Sequence, residues 1–129
     1  MATQHLLETA KDQPAVLIER TLRSGQIVHY EGNLVILGDV NPGAEVTATG
    51  DVVVMGVLRG TVHAGASGDE SATVIAFRLQ PTQLRIAGYI ARSPDGETSR
   101  PNQPEIASVR DGIVTIEDFP IGGERSGKN

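Results

Sequence analysis

Between residues 16 and 68 the chain repeats its hydrophobic pattern every six positions. Val16, Leu22, Val28, Leu34, Val40, Val46, Val52, Leu58 and Ala64 fall on one such register, and all are apolar. Gly32, Gly38, Gly50, Gly56 and Gly68 fall on a second. Whole blocks repeat at eighteen residues, so that Gly25 matches Gly43, Gly32 matches Gly50 and then Gly68, and Gly38 matches Gly56. A period of this kind outranks any single motif in deciding a fold. It predicts an all-β chain wound into stacked coils of about 18 residues, three sides to a coil, with a triangular cross-section.

The predicted elements follow that grid. Residues 1–14 read as a polar lead-in or a linker from a preceding domain, closed by Pro14, with weak helical character around Leu6 and Leu7. Ala15 to Leu22 is the first strand. Gln26–Tyr30 with Asn33–Leu37, Glu45–Thr49 with Asp51–Met55, and Thr61–Ala64 with Ala72–Phe77 form successive coils. Corners carry Gly, Pro, Asn or Asp, residues that preset a turn or tolerate positive φ. One corner is expected to run Ser24-Gly25, Pro42-Gly43, Arg59-Gly60 from coil to coil. Between Ala64 and Ala72 the grid slips, and GASGDES reads as a lengthened corner. Leu84 and Ile90 resume the six-residue spacing. After a Pro- and Ser-rich loop over Ser93–Pro104, two strand-like runs flank Asp111-Gly112, a strong hairpin signal. That hairpin is placed to cover an open sheet edge at one end of the helix. Residues 15–119 are thus expected to form the β-helix with its hairpin cap, and 120–129 a flexible tail.

Alternation tells the faces apart. In Glu45–Thr49, Val46 and Ala48 point inward and Glu45, Thr47 and Thr49 outward, as on a sheet with one wet side. Asn33–Leu37 and Asp51–Met55 do not alternate. With Leu34, Ile36, Val52 and Val54 in the core, Val35, Leu37, Val53 and Met55 face outward, and Ile75 and Phe77 extend the strip. A soluble monomer rarely exposes such a face. We expect it to be a homodimer interface with two-fold symmetry; the other occupant considered is the chain's own C-terminal hairpin.

Composition narrows the interior and the partners. With two Phe, two Tyr and no Trp in 129 residues, the core must be built from Val, Ile, Leu and Ala, which suits narrow coils. A net charge of −5 leaves no basic stripe for nucleic acid. The chain has no Cys, hence no disulfide or thiolate metal site, which fits a reducing compartment. Its apolar runs fall far short of the roughly 20 residues of a membrane span, and the N-terminus has no secretory pattern. The expectation is a soluble, cytosolic domain.

Three features bear on chemistry. Gly122–Lys128 (GGERSGK) has the spacing of a phosphate-binding loop, but that motif needs a strand before it, a helix after it and a hydroxyl residue where Asn129 stands, so the match is read as coincidence in a flexible tail. His29 and His63 sit beside inward-pointing residues, so both are read as surface histidines on strands, without a metal-ligand pattern. In the left-handed β-helix of hexapeptide-repeat acyltransferases, either could serve as general base. Periodicity cannot set the hand, so that enzyme class is the alternative reading. Arg23-Ser24-Gly25-Gln26 is the most informative polar cluster: Gly25 permits a turn, Ser24 and Gln26 offer hydrogen bonds, and Arg23 offers a planar fork suited to carboxylates. Arg59 falls in the same column, about 10 Å away over two strand spacings. A docking corner for an acidic partner and a solvated turn with ordinary surface arginines both explain these residues.

RTLRSGQ (Arg20–Gln26), the paired glycine coils and LRGTVHAGASGD (Leu58–Asp69) resemble the C-terminal domain of MinC, the septum-site-determining division inhibitor. RIAG (Arg85–Gly88) and PEIASVRDGIVTIEDF (Pro104–Phe119) are similar to that family too. The resemblance implies a right-handed parallel β-helix that dimerises through a flat face, here Val35, Leu37, Val53, Met55, Ile75 and Phe77. It implies docking on the membrane-associated ATPase MinD through Arg23, Ser24, Gly25 and Gln26, with Arg59 added from the corner geometry. It also implies assistance in antagonising FtsZ by contact with the FtsZ C-terminal tail; the family's N-terminal FtsZ-inhibiting domain has no counterpart in residues 1–14. The expected function is that of a dimeric adaptor, not an enzyme, without cofactor or metal. It would be cytoplasmic and reach the inner face of the membrane only through MinD.

Overall fold

The computed structural model describes residues 13–91 and 103–119. Their strands, in chain order, are β1 (Ala15–Ile18), β2 (Ile27–Tyr30), β3 (Asn33–Ile36), β4 (Glu45–Ala48), β5 (Val52–Leu58) and β6 (Thr61–Ala64). There follow β7 (Val74–Leu79), β8 (Gln83–Ile86), β9 (Tyr89–Ile90), β10 (Glu105–Arg110) and β11 (Ile113–Asp118). The expected loop over Ser93–Pro104 lies mostly outside the described residues. So do the tail Pro120–Asn129 with its GGERSGK stretch and most of the lead-in.

The strands stack into a parallel β-helix with three sides. Sheet A runs β1-β3-β5-β7 in parallel, and sheet B runs β2-β4-β6-β8 in parallel. The third side is narrow: single bridges join Leu22 to Val40 and Val40 to Leu58. Apolar residues from the three sides meet on the axis, where Leu34, Ile36, Val46, Val52, Val62 and Leu58 are among the buried side chains. Small aliphatics fill this bore because each coil contributes one short strand per side and leaves no room for rings.

Neighbouring coils are stitched at two edges by short polar side chains. Asp51 N donates to Asn33 Oδ1 (2.8 Å) and Thr73 N to Asp51 Oδ1 (2.9 Å). On the edge between sheet A and the third side, Asp39 N donates to Thr21 Oγ1 (3.1 Å) and Val57 N to Asp39 Oδ1 (2.8 Å). Corner backbone groups outside the ladders are satisfied in this way. Two positions of the glycine register follow from it. A Cβ at Gly50 would meet Asn33 Oδ1, and one at Gly56 would meet Asp39 Oδ1 and Gly38 O. These glycines make room for the stitching side chains of the preceding coil.

The repeat departs from the grid in four places. The lengthened corner after Ala64 is present, and it stretches the step from Val52 to its neighbour Val74 to 22 residues. At the third corner the chain is shorter than the sequence reading has it. Val40 pairs with Leu58 but Glu45 with Thr61, so four intervening residues become two, and Gly60 comes to lie beside Ala44 rather than Gly43. In β5 a bulge between Val54 and Val57 lets the strand bend from sheet A onto the third side. Finally, Ile90 does not continue the coil: β9 turns back antiparallel on β8 through Ala87-Gly88.

The hairpin forms as expected, with both Asp111 and Gly112 at positive φ (54° and 76°), the requirement of a two-residue primed turn. Its first strand, β10, pairs antiparallel with β7 and covers that open edge of sheet A. Ala107 joins the buried core, and Val109, Val114 and Ile116 pack against it. Glu105 is only 8% exposed, and its Oε1 accepts a 2.6 Å hydrogen bond from Leu79 N. The hairpin therefore lengthens sheet A and does not fold over its outer face.

Candidate functional site

The corner between the third side and sheet B begins at buried Leu22. Gln26 N donates to Arg23 O (2.9 Å), closing a turn with Gly25 at its third position and φ of +89°. This is the arrangement of a type II turn, which requires positive φ there. The next coil repeats it: Ala44 N donates to Asn41 O (3.0 Å), Pro42 presets the second position, and Gly43 has φ of +90°. The two turns are joined by Gly25 N donating to Gly43 O (2.9 Å). Arg23 N also donates to Gln26 Oε1 (2.7 Å), so the Gln26 side chain braces its own turn.

Arg23, Ser24, Gly25 and Gln26 are all exposed. A Cβ at Gly25 would meet nothing within 4 Å, so this point of the turn opens to solvent. Arg59, also exposed, follows Leu58 as Arg23 follows Leu22; two rungs of the bridge column separate them, about 10 Å. Arg59 reaches the column despite the shortened corner, because the shortening falls after it. Its carbonyl accepts from Thr82 Oγ1 (2.8 Å), holding that rung to the next.

Beside the turn lies a depression of about 350 Å3 lined by Arg20, Thr21, Arg23 and Gln26. Arg20 and Thr21 escape the sequence reading. Residues three apart on an extended strand point to opposite sides, so Arg20 and Arg23 look unrelated until the chain bends onto the third side after β1. The Thr21 hydroxyl is engaged by Asp39 N, which leaves the two guanidinium groups as the charged lining. Two forked donors on one rim can take a carboxylate in bidentate fashion.

The apolar face has the expected membership. Register puts Leu17, Val35, Val53, Ile75 and Ile106 in one row across sheet A. Leu37, Met55 and Phe77 stand at its side and are exposed, at 41%, 43% and 44%. Leu17 and Ile106 enlarge the strip beyond its six predicted residues. Of the histidines, His29 is exposed as expected, whereas His63 is half-buried, its Nε2 2.8 Å from Ala87 O. That contact holds a non-glycine residue at φ of 53° where β8 turns into β9. Among the described residues, no group of three or more His, Cys, Asp or Glu is gathered to hold a metal, and no helix is long and apolar enough to cross a membrane.

Comparison with known proteins agrees with this architecture. The family model "Septum formation inhibitor MinC, C-terminal domain" matches residues 16–119. A probable septum site-determining protein MinC from Heliobacterium modesticaldum is 57% identical over 124 residues, covering 96% of this chain and 43% of that protein. Its counterpart from Acetivibrio thermocellus is 61% identical over 100 residues, covering 77% and 44%. The chain thus spans less than half the length of these curated relatives. Among solved structures it is similar to a chain of the MinC:MinD cell division protein complex of Aquifex aeolicus, with a TM-score of 0.76 and 39% identity over 87% of this chain and 91% of that one. None of these favours the acyltransferase reading. With its three-sided stack and a family match running from the first strand through the hairpin, the chain belongs to the family of MinC C-terminal domains.

Proposed function

We propose that the chain is a dimeric adaptor without catalytic activity, which binds the ATPase MinD and helps confine inhibition of FtsZ ring assembly to the wrong division sites. The observation that carries this reading is the likeness to the Aquifex MinC:MinD complex, together with a basic corner on a chain of net charge −5. In this reading Arg23, Ser24, Gly25 and Gln26 form the MinD contact, with Arg59 beside them and Arg20 sharing the depression. Arg23 and Arg20 receive carboxylates, and the internal bonds of the turn hold it in its docking shape before the partner arrives, which lowers the cost of binding. The outer face of sheet A, with Val35, Leu37, Val53, Met55, Ile75 and Phe77, meets a second copy. A dimer then presents two corners, and avidity favours the membrane regions where MinD is dense. The chain itself stays cytoplasmic and reaches the inner face of the membrane through MinD, with a secondary contact to the FtsZ C-terminal tail.

The test is binding to vesicle-bound MinD loaded with ATP or with ADP. The expected result is preference for the ATP form and a loss of about tenfold or more in Arg23→Ala, the order expected for a desolvated Arg contact. Full affinity in a well-folded Arg23→Ala, Gly25→Asp double variant would place the contact elsewhere.

A further inference from the structure

Ile27 is 69% exposed, more than any other large apolar side chain among the described residues. The others have neighbours of their own kind. Leu17, Leu37, Met55 and Phe77 share the outer face of sheet A, and Ile90 and Ile113 line one depression at the hairpin end. Ile27 instead points out of sheet B, whose outer positions beside it are polar: Glu45 on the paired strand and His29 on its own. Single exposed apolar residues are common on protein surfaces. The position of this one sets it apart.

Ile27 is the residue immediately after the turn Arg23–Gln26, and the hydrogen bonds that close and brace the turn tie the start of β2 to the basic depression. Pairing of β2 with β4 fixes its direction, and its β-branch restricts χ1. An apolar group held in this way loses little side-chain freedom on docking, far less than a long charged chain does. Interfaces held by one well-buried anchor with charges at the rim are the common pattern. The charges steer and set register, and the desolvated centre slows release. The corner has both parts: guanidinium groups of Arg20 and Arg23 on the third side, and around the bend a rigid aliphatic group.

We propose that Ile27 is the apolar anchor of the docking corner. The matching patch on the partner then carries a carboxylate for the arginine-lined depression and, next to it, an apolar pocket that Ile27 fills. The inference rests on the MinD-docking reading above and adds to it the second half of the recognition chemistry.

The experiment measures affinity for ATP-loaded MinD at low and at physiological salt for the wild type, Ile27→Thr, Ile27→Val and Arg23→Ala, each first shown to keep the far-ultraviolet circular dichroism and assembly mass of the wild type. Ile27→Thr keeps the β-branch and removes the apolar character. It should bind about tenfold more weakly with an unchanged salt dependence, while Ile27→Val stays within about threefold. Arg23→Ala should weaken binding and flatten its salt dependence. Wild-type affinity of Ile27→Thr alongside impaired Arg23→Ala would remove the anchor and leave the docking reading standing. Wild-type affinity of both would overturn the docking reading and the anchor with it.

Discussion

Glycines illustrate at the residue scale how one amino acid serves different physical needs in this chain. At Gly25 the backbone demands it: φ is +89° and the surrounding space is open. Gly25→Ala should therefore cost about 1–2 kcal/mol of stability from conformation alone, with the added methyl group pointing into solvent. At Gly56 the demand is space, since a Cβ would run into Asp39 Oδ1 and the Gly38 carbonyl. Gly56→Ala must displace the side chain that accepts from Val57 N, at a cost of about 2–3 kcal/mol. Urea denaturation of the two variants checks both figures. A cost for Gly56→Ala no larger than that of an exposed substitution would mean that the Asp39 stitch contributes little. Both glycines stood out in the sequence as members of repeats, but only the corner geometry separates the two reasons for them.

At the scale of elements, the instructive one is the hairpin β10–β11. Its turn was legible, because Asp-Gly flanked by β-branched runs specifies a two-residue primed turn by local conformation. Its partner was not, since nothing local says which edge a hairpin joins. The structure gives it the exposed edge of β7, where Glu105 caps Leu79 N from a nearly buried position. Glu105→Ala leaves that N–H without its acceptor and should destabilise the chain by about 1–3 kcal/mol. Glu105→Gln, which retains an acceptor oxygen, should cost less than half as much. A wild-type midpoint for Glu105→Ala in denaturant would show that the carboxylate is dispensable as a cap. Ile90 was misplaced for a related reason: a six-residue spacing can persist by chance after the coil has ended. Two residues at Ala87-Gly88 suffice to reverse the chain.

On the scale of the whole molecule, the outer face of sheet A remains open once every described strand is placed. The hairpin was the competing cover for this face, and it extends the face by Ile106 instead. A row of aliphatics five strands wide, flanked by Leu37, Met55 and Phe77, is the face on which the proposed two-fold dimer rests. Val53 stands in the middle of that row. If the proposed dimer forms through this face, a charge there, in Val53→Glu, should convert it to monomers at micromolar concentration, read as a halved mass in sedimentation, with circular dichroism unchanged. Retention of the dimer mass would move the interface off this face.

The sequence alone determined the prism, because a period of six apolar positions sets which residue of each side faces the axis, and that follows from strand geometry without knowledge of neighbours. It determined the lengthened corner after Ala64, read from a slip in the grid, the hairpin turn, read from Asp-Gly, and six residues of the apolar face, read from strands that are apolar on both sides. Tertiary structure decided what depends on how coils lie against one another: the shortened corner that sets Gly60 beside Ala44, and the glycines that yield space to Asn33 and Asp39. It also decided the meeting of Arg20 with Arg23 across a bend that no strand pattern records. Periodicity specifies direction along one chain; adjacency between coils is a relation of packing, and only the stacked molecule contains it.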